Sequence, residues 1–167
     1  MNVLQAFDIE LLADVRRFPG SRRLPQFGQA ALQAALEKQA INSVWLPALG
    51  GRRQPVADSF NTGWRVPGFR GYADHIASEE FAAGLFELLM LAEGTRTVVM
   101  CAELLWWRCH RRLISDVLVS LGIPVIHIRD ADFSEPHSIA EPARLVDGTL
   151  SYEADTQLGL FAQSASH

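Results

Sequence analysis

Four side chains that could take part in catalysis or ligand binding lie close together in the sequence: Cys101, Glu103, Cys109 and His110, followed directly by Arg111. An apolar strand-like run precedes them, and a run with helical periodicity follows. They therefore lie at one strand-to-helix crossover. Because ligands of parallel α/β proteins bind outside the carboxyl ends of the strands, this stretch is the first candidate for a functional site.

The two thiols are candidate reactive groups. We predict that Cys101 ends a buried strand and that Cys109 lies in the first turn of the following helix. A thiol at a helix N-terminus, beside arginine and histidine, has a lowered pKa and forms a reactive thiolate. Either cysteine is then a candidate nucleophile or redox centre, with His110 and Glu103 or Asp14 handling protons. Free cysteine is also common as a small buried hydrophobe, so a purely structural role stays open.

The spacing of these residues argues against two familiar kinds of site. A tyrosine-phosphatase loop needs Cys-x5-Arg, whereas Cys101 to Arg108 is Cys-x6-Arg with bulky leucines and tryptophans between them. Zinc could bind Cys101, Cys109 and His110, with Glu103 as a further ligand. Adjacent residues seldom converge on one tetrahedral ion, however, and the sequence has no Cys-x2-Cys pair. We therefore predict no cofactor and keep zinc as an alternative.

A second candidate group follows the first predicted strand, where Asp14 and Arg16 share one face because side chains alternate along a strand. Either they form a structural ion pair, or Arg16 belongs to an anion-binding cleft. The planar guanidinium group suits phosphate or carboxylate, and backbone amides of a glycine pair can assist. We favour the cleft, and its candidate substrate-binding residues are Arg16, Ser21, Gly50, Gly51, Arg52, Asn61, Arg70, Tyr72 and Arg111.

Composition limits the class of function. The 167 residues carry a formal net charge of −4, which argues against general adhesion to nucleic acid or to an anionic membrane. The arginines nevertheless occur in pairs, which is compatible with a locally basic cleft. No apolar run approaches the roughly 18 residues that a membrane span needs, and no secretory signal is visible. Two cysteines without such a signal indicate reduced thiols and predict a cytoplasmic protein.

Apolar runs and helical periods alternate along the chain. Residues 11–15, 43–46, 97–101 and 124–128 predict buried parallel strands. Helical patterns cover residues 26–39, 78–94 and 109–122, the second with Ser78 as its N-cap and Gly94 at its end. This alternation predicts an α/β fold, a three-layer sandwich with a mostly parallel central sheet of about four to five strands. We expect one domain over residues 1–155 and a flexible tail over residues 156–167.

Two further segments have distinctive composition. Residues 47–72 are rich in glycine, proline and arginine, which is typical of a long binding loop or lid. Residues 143–152 predict a C-terminal hairpin with Asp147-Gly148 as its two-residue turn. Trp64 lies on the long loop and Trp106-Trp107 on the crossover, where aromatic rings beside arginines could stack on a base.

Taken together, the motifs closely resemble those of one family, the domain of unknown function 488 family (DUF488). They match it in order and spacing, from about residue 3 to the hairpin near Tyr152. The resemblance implies a small bacterial or archaeal cytoplasmic α/β protein whose shared cysteines and histidine serve catalysis or metal binding. The segments that carry it are Asp14-Val15-Arg16-Arg17-Phe18-Pro19-Gly20-Ser21-Arg22-Arg23, Leu46-Pro47-Ala48-Leu49-Gly50-Gly51-Arg52, Phe69-Arg70-Gly71-Tyr72-Ala73, Met100-Cys101-Ala102-Glu103 and Cys109-His110-Arg111.

The sequence departs from the family pattern at its start. Family members begin with an additional strand that ends in a Gly-His-Ser-like turn, whereas Met1-Asn2-Val3-Leu4 leads directly into a helix here. Either the true start lies upstream, or this version lacks a strand and part of the site, and a lost strand would leave a sheet edge exposed. An exposed edge favours pairing with another chain, so a homo-oligomer is compatible with this sequence.

Our leading hypothesis is an enzyme that acts on a phosphate-bearing small molecule or a nucleic-acid component. Hydrolysis, glycosyl transfer and thiol chemistry all stay open. One alternative is a non-catalytic module that binds a nucleotide or single-stranded nucleic acid through arginine and aromatic contacts. Another is a zinc-stabilised domain. No membrane partner is expected.

Overall fold

The structure is a computed structural model that describes residues 2–20 and 24–154. Ser21 and the predicted tail over residues 156–167 lie outside the described residues. The helices are α1 (Asn2–Ala6), α2 (Gln29–Glu37), α3 (Pro67–Ile76), α4 (Glu79–Ala92) and α5 (Arg111–Ser120). The strands are β1 (Leu11–Asp14), β2 (Asn42–Trp45), β3 (Thr97–Met100), β4 (Ile126–Ile128), β5 (Ser134–Pro136), β6 (Arg144–Val146) and β7 (Thr149–Ser151).

The central sheet is parallel, with strand order β2-β1-β3. The three strands are in register, because Leu11 pairs with Asn42 and with Thr97. All three therefore end at the same edge of the sheet, as the α/β prediction requires. The α/β class is confirmed.

The predicted number of parallel strands is wrong. Residues 124–128 do form a strand, but β4 pairs antiparallel with β5 and, among the described residues, does not join the parallel sheet. A tight turn explains the difference, since the Asp132 amide donates to the Asp130 carboxylate and the Arg129 amide donates to the Phe133 carbonyl. A short apolar run predicts a strand without specifying its partner, and here the nearest partner is the chain's own return.

Apolar side chains pack on both faces of β1. On one face Leu12 packs with Leu32 and Leu36 of α2. On the other face Ala13 belongs to a larger cluster that includes Phe81 of α4 and Ile114 of α5. Successive residues of β1 point to opposite faces, so the strand is buried on both sides. This burial fixes where β1 ends and where the residues after it lie.

The predicted start of α4 agrees with the structure, whereas the long loop differs from its prediction. The Ser78 hydroxyl accepts a hydrogen bond from the amide of Phe81 at 3.2 Å and caps α4 as predicted. Residues 47–72 are not one irregular loop, because a 3-10 turn (Pro47–Leu49) opens the segment and α3 begins at Pro67. Proline is favoured at the first helical position, which the glycine-rich composition around Pro67 concealed.

The C-terminal hairpin is confirmed. Strands β6 and β7 pair antiparallel, and Leu145 lies opposite Leu150. Asp147 has a φ of 50° and Gly148 a φ of 78°, the two positive values that a tight hairpin turn requires. In the described part of the chain, no helix has the length and apolar character needed to cross a membrane.

Candidate functional site

The sheet brings the two cysteines and the histidine to its carboxyl edge. Cys101 directly follows β3, and Val15 directly follows the neighbouring strand β1. From Cys101 the chain passes through a short 3-10 turn and reaches Cys109 and His110 immediately before α5. We predicted Cys109 inside the first turn of this helix, whereas the helix begins at Arg111.

The imidazole of His110 lies between the two thiols. Its Nδ1 atom is 3.8 Å from the sulfur of Cys101 and 3.5 Å from the sulfur of Cys109. The other ring nitrogen, Nε2, lies 3.1 Å from the carbonyl oxygen of Val15. A carbonyl oxygen only accepts, so Nε2 carries the proton and donates it. In the neutral ring, Nδ1 then presents a lone pair to both sulfurs.

The surroundings make Cys109 the more acidic thiol. A hydrogen bond from the Cys101 thiol lowers the pKa of Cys109 and outweighs the effect of burial, which raises it. Hydrogen bonds from the backbone and side chain of Arg111 lower the pKa of Cys109 further. Donation to Cys109 and burial raise the pKa of Cys101. The first negative charge of the pair therefore resides on Cys109, and a thiolate is the form that attacks electrophiles or binds metals.

Cys101, Cys109 and His110 line a cavity of about 350 Å³ that is rich in arginine. Among the described residues, its charged lining consists of Arg16, Arg17, Arg52, Arg108 and the carboxylate of Glu103. Among the described residues, Arg52 and Arg108 form no ion pair with a carboxylate. The cavity is therefore a positively charged recess on a chain whose net charge is negative.

Arg17 and Arg52 are organised around an exposed aromatic ring. Both guanidinium groups lie 5.9 Å from the centre of the Phe18 ring, which is 64% exposed. Arg17 also donates a hydrogen bond to the carbonyl of Arg52 at 3.3 Å. Arg52 has a φ of 60°, a conformation that few non-glycine residues adopt and that is concentrated at functional sites. The sequence interpretation did not include Arg17 or Arg108 in the site, although each belongs to an arginine-rich motif.

Arg16 lines the cavity, but its hydrogen-bonding groups are engaged elsewhere. Its Nε atom donates to the Asp14 carboxylate at 2.8 Å, and its Nη2 atom donates to the same group at 2.5 Å. Nη1 donates to the carbonyl of Phe27 at 2.7 Å. Both members of the pair are buried, and Asp14 does not line the cavity. This geometry corresponds to the structural ion pair that we considered as the alternative for these residues.

Gly50 and Gly51 pack closely against Arg17 and His110. A Cβ atom added to Gly50 would lie 2.8 Å from the Cα atom of Arg17, and one added to Gly51 would lie 2.6 Å from Nδ1 of His110. Real Cβ atoms do not approach other atoms so closely, so both positions require glycine or a local displacement. Gly51 lines the cavity beside the histidine.

Arg111 and Glu103 lie differently with respect to the cavity. Glu103 is exposed and lines the cavity with the thiols. The Arg111 side chain instead folds back on the crossover, where it donates to the carbonyls of Glu103 and Leu104. Arg111 acts on the site through Cys109, as described above, and does not line the cavity.

The remaining predicted substrate-binding residues lie behind or beside the cavity. The buried Tyr72 hydroxyl donates to the carbonyl of Leu49, and the Tyr72 ring lies 4.9 Å from the His110 ring. Arg70 donates to the carbonyl of Trp64. The Asn61 amide donates to the Asp74 carboxylate at 2.7 Å, in a cluster of its own. None of Tyr72, Arg70 and Asn61 lines the cavity.

A buried polar network lies behind the crossover, and the sequence interpretation missed most of it. The Asp116 carboxylate, which has no exposed surface, accepts hydrogen bonds from His137 Nε2 at 2.8 Å and from the Tyr152 hydroxyl at 3.0 Å. His137 Nδ1 is bonded to His127 Nε2 at 2.9 Å, and the Trp106 ring stacks on His127 at 3.8 Å. No periodicity in the sequence connects residues that are so far apart along the chain.

The cluster of thiols and imidazole also has the donor set of a metal site. The sulfurs of Cys101 and Cys109 and the ring nitrogen of His110 all lie within 4.8 Å of one another. The expectation that neighbouring residues fail to converge does not hold for this crossover. The 3-10 turn between the cysteines returns the chain so that Cys109 comes back to Cys101.

Fold and site together define an α/β protein with a Cys-Cys-His cluster beneath an arginine-rich cavity at the carboxyl edge of a parallel sheet. The model of the family described as Domain of unknown function DUF488 matches residues 1–118, and the chain belongs to that family. The resemblance seen in the motifs is thereby confirmed. Neither the curated proteins nor the solved structures include a match to the chain.

Proposed function

We propose that the protein is an enzyme that binds a phosphate-bearing small molecule or a nucleic-acid component in the arginine-rich cavity. The Cys101-Cys109-His110 cluster is its reaction centre. One observation carries this proposal: the cluster and the side chains of Arg17, Arg52 and Arg108 line the same cavity of about 350 Å³. Pockets for small-molecule ligands typically start at about 300 Å³.

Charge supports an anionic substrate. Arg17 and Arg52 each place a guanidinium group 5.9 Å from the centre of the Phe18 ring, and among the described residues neither forms an ion pair with a carboxylate. Arginine binds phosphate through paired N–H donors, so cavity arginines without a carboxylate partner suit an anionic ligand. Arg108 adds a third donor immediately before Cys109. Each nitrogen of the Arg16 guanidinium already donates to Asp14 or to the Phe27 carbonyl, so Arg16 positions this edge of the sheet.

The geometry of the cluster supports chemistry on that anion. Cys109 is the more acidic thiol of the pair, and Nδ1 of His110, 3.5 Å from its sulfur, can accept the proton that the thiol releases. A thiolate beside an imidazole is the usual arrangement of an activated sulfur. Glu103 also lines the cavity, and its carboxylate can exchange protons with a bound substrate.

A thermal-shift screen tests the substrate class. Inorganic phosphate, nucleotides, nucleosides and short oligonucleotides are added to the wild-type protein and to Arg52→Ala and Arg108→Ala. At 100 times its dissociation constant a ligand stabilises the folded state by about 2.7 kcal/mol. For a chain of this size that corresponds to a rise in Tm of about 5–11 °C. We expect phosphate-bearing ligands to give this rise and both variants to lose most of it.

Arg65→Ala is the matched control, because Arg65 is exposed and does not line the cavity. It should respond to ligands like the wild type. If no ligand class raises Tm, or if all three arginine variants respond equally, the proposed anion site is wrong.

A binding module without catalysis is the second candidate, favoured by the exposed Phe18 ring at the cavity, which could stack on a base. Cys101→Ser and Cys109→Ser separate the two functions. In an enzyme they abolish turnover of the ligand found in the screen, whereas in a binding module they leave both affinity and cellular function unchanged.

A further inference from the structure

We infer that Cys101, Cys109 and His110 bind a zinc ion whose fourth coordination position opens into the arginine-rich cavity. This inference rests on the proposed function only for what occupies the fourth position. Binding of the metal itself depends on the three side chains alone.

Distances between the donor atoms fit a tetrahedral zinc site. Zinc–sulfur bonds of about 2.3 Å and zinc–nitrogen bonds of about 2.1 Å place sulfur and nitrogen about 3.6 Å apart at the tetrahedral angle. The distances from His110 Nδ1 to the sulfurs of Cys109 and Cys101 are 3.5 and 3.8 Å. Two zinc-bound sulfurs lie about 3.8 Å apart, and all three donor atoms here lie within 4.8 Å of one another.

The histidine is held in the orientation and tautomer that a metal ligand needs. The donation from Nε2 to the carbonyl of Val15 fixes the proton on the nitrogen that faces away from the sulfurs. Metal-bound histidines commonly donate their second ring N–H to a carbonyl or carboxylate in this way. The lone pair of Nδ1 is therefore presented to the cluster before any ion binds.

The chain leaves space on the cavity side of the cluster. Gly51 passes so close to His110 that a Cβ atom would lie 2.6 Å from Nδ1. The absence of a side chain there keeps the donor atom accessible from the cavity, which all three ligand residues line. Three protein ligands and one open position are the pattern of catalytic zinc sites, and Cys2His is one of their known ligand sets.

The donor type selects the class of metal. Two thiolates and one imidazole are soft or borderline ligands that favour zinc over calcium or magnesium, which prefer oxygen. Two thiolates also balance the charge of a divalent ion, so the loaded cluster is neutral. In the fourth position, a water molecule or an oxygen of the anion bound by the arginines can complete the coordination.

The first test measures metal content in the untagged full chain, expressed with zinc and purified without chelator. We expect about one zinc per chain, and removal of the metal should expose two thiols to a thiol reagent. Titration of the metal-free protein with cobalt should give the visible absorption of tetrahedral cobalt and a thiolate-to-cobalt charge-transfer band. The cobalt spectrum does not depend on activity or on the substrate.

Variants show whether these residues hold the ion. Cys101→Ser, Cys109→Ser and His110→Gln should each weaken cobalt binding by more than the roughly 100-fold that loss of a supporting second-shell group costs. Arg52→Ala is the control, since it should lose anion binding and keep the metal. If a variant does not fold, the wild-type spectrum still decides whether the thiolates are ligands.

Two results would overturn the inference. One is a wild-type protein that binds neither zinc nor cobalt stoichiometrically while both thiols react freely. The other is metal that binds equally well in both cysteine variants. Metal binding without any anion-induced rise in Tm would support the zinc site and refute the proposed function. An anion-induced rise in Tm without metal binding would support the proposed function and refute the zinc site.

Discussion

Replacing Arg16 with alanine should affect folding far more than ligand binding. Arg16 and Asp14 are each about 6% exposed in their side chains, and the contact between them is made through Nε and Nη2 of the guanidinium. Arg16→Ala leaves a buried Asp14 carboxylate without its partner and the Phe27 carbonyl without its donor. Breaking a buried ion pair in this way costs about 3–5 kcal/mol. In a chain of this size, such a loss lowers Tm by about 6–20 °C.

Urea denaturation followed by circular dichroism measures this loss as a shift of the midpoint at constant slope. The Asp14→Ala, Arg16→Ala and double variants form a thermodynamic cycle. The double variant should be less destabilised than the sum of the single variants, because it leaves no unpaired charge. We expect a coupling energy of about 1–3 kcal/mol.

Arg52→Ala is the comparison that gives the experiment its meaning. It removes a cavity arginine that forms no ion pair among the described residues, so stability should change by less than about 0.5 kcal/mol. The reasoning is refuted if Arg16→Ala costs less than about 1 kcal/mol while weakening phosphate binding as strongly as Arg52→Ala. Arg16 would then be a substrate ligand and its pairing with Asp14 incidental.

Three further predictions concern other parts of the molecule. Gly51→Ala should destabilise the protein by about 1–3 kcal/mol and weaken cobalt binding, because the added Cβ atom meets the imidazole of His110. Gly68 lines the same cavity, but a Cβ atom added there meets nothing within 4 Å, so Gly68→Ala should have neither effect. Burial lowers the pKa of His127 to about 4, while the unfolded chain protonates at about 6.5. The free energy of unfolding should thus fall by about 2 kcal/mol between pH 7 and pH 5, and a His127→Gln variant with the same decline would contradict this. Asp116→Ala should lower the free energy of unfolding in urea by about 3–5 kcal/mol, and Tyr152→Phe should lower it by about 1 kcal/mol. Equal losses in the two variants would show that the shared carboxylate is not the centre of the network.

The sequence predicts local structure well where one segment carries its own signal. Ser78 with Phe81 specifies a helix start, and Asp147-Gly148 specifies a hairpin turn, because each depends on contacts within a few residues. The alternation of strands and helices also places the crossover at the carboxyl edge, which is why the thiols and His110 are found together. Strand partners are a different matter. The pairing of β4 with β5 depends on a turn around Asp130 that the apolar run itself does not encode.

The candidate site shows the same limit at the level of side chains. Arg16 and Arg17 are adjacent and of one type, yet only Arg16 meets Asp14 on its own strand face and is neutralised there. Arg111 lies next to His110 but bends away from the cavity to the carbonyl of Glu103. Which arginine stays available is decided by its neighbours in space. Residue type and spacing locate the site, and packing assigns the roles.

Asp116 has a consequence for where the protein can be divided. It lies inside the matched family region, residues 1–118, whereas His137 and Tyr152, which satisfy its carboxylate, lie beyond it. The end of the described chain is also attached to the long loop, because the Gly63 amide donates to the Tyr152 carbonyl. A fragment that ends at residue 118 would leave the Asp116 carboxylate without the hydrogen bonds from His137 and Tyr152. We therefore expect a fragment for expression to need the residues through Tyr152 for its stability.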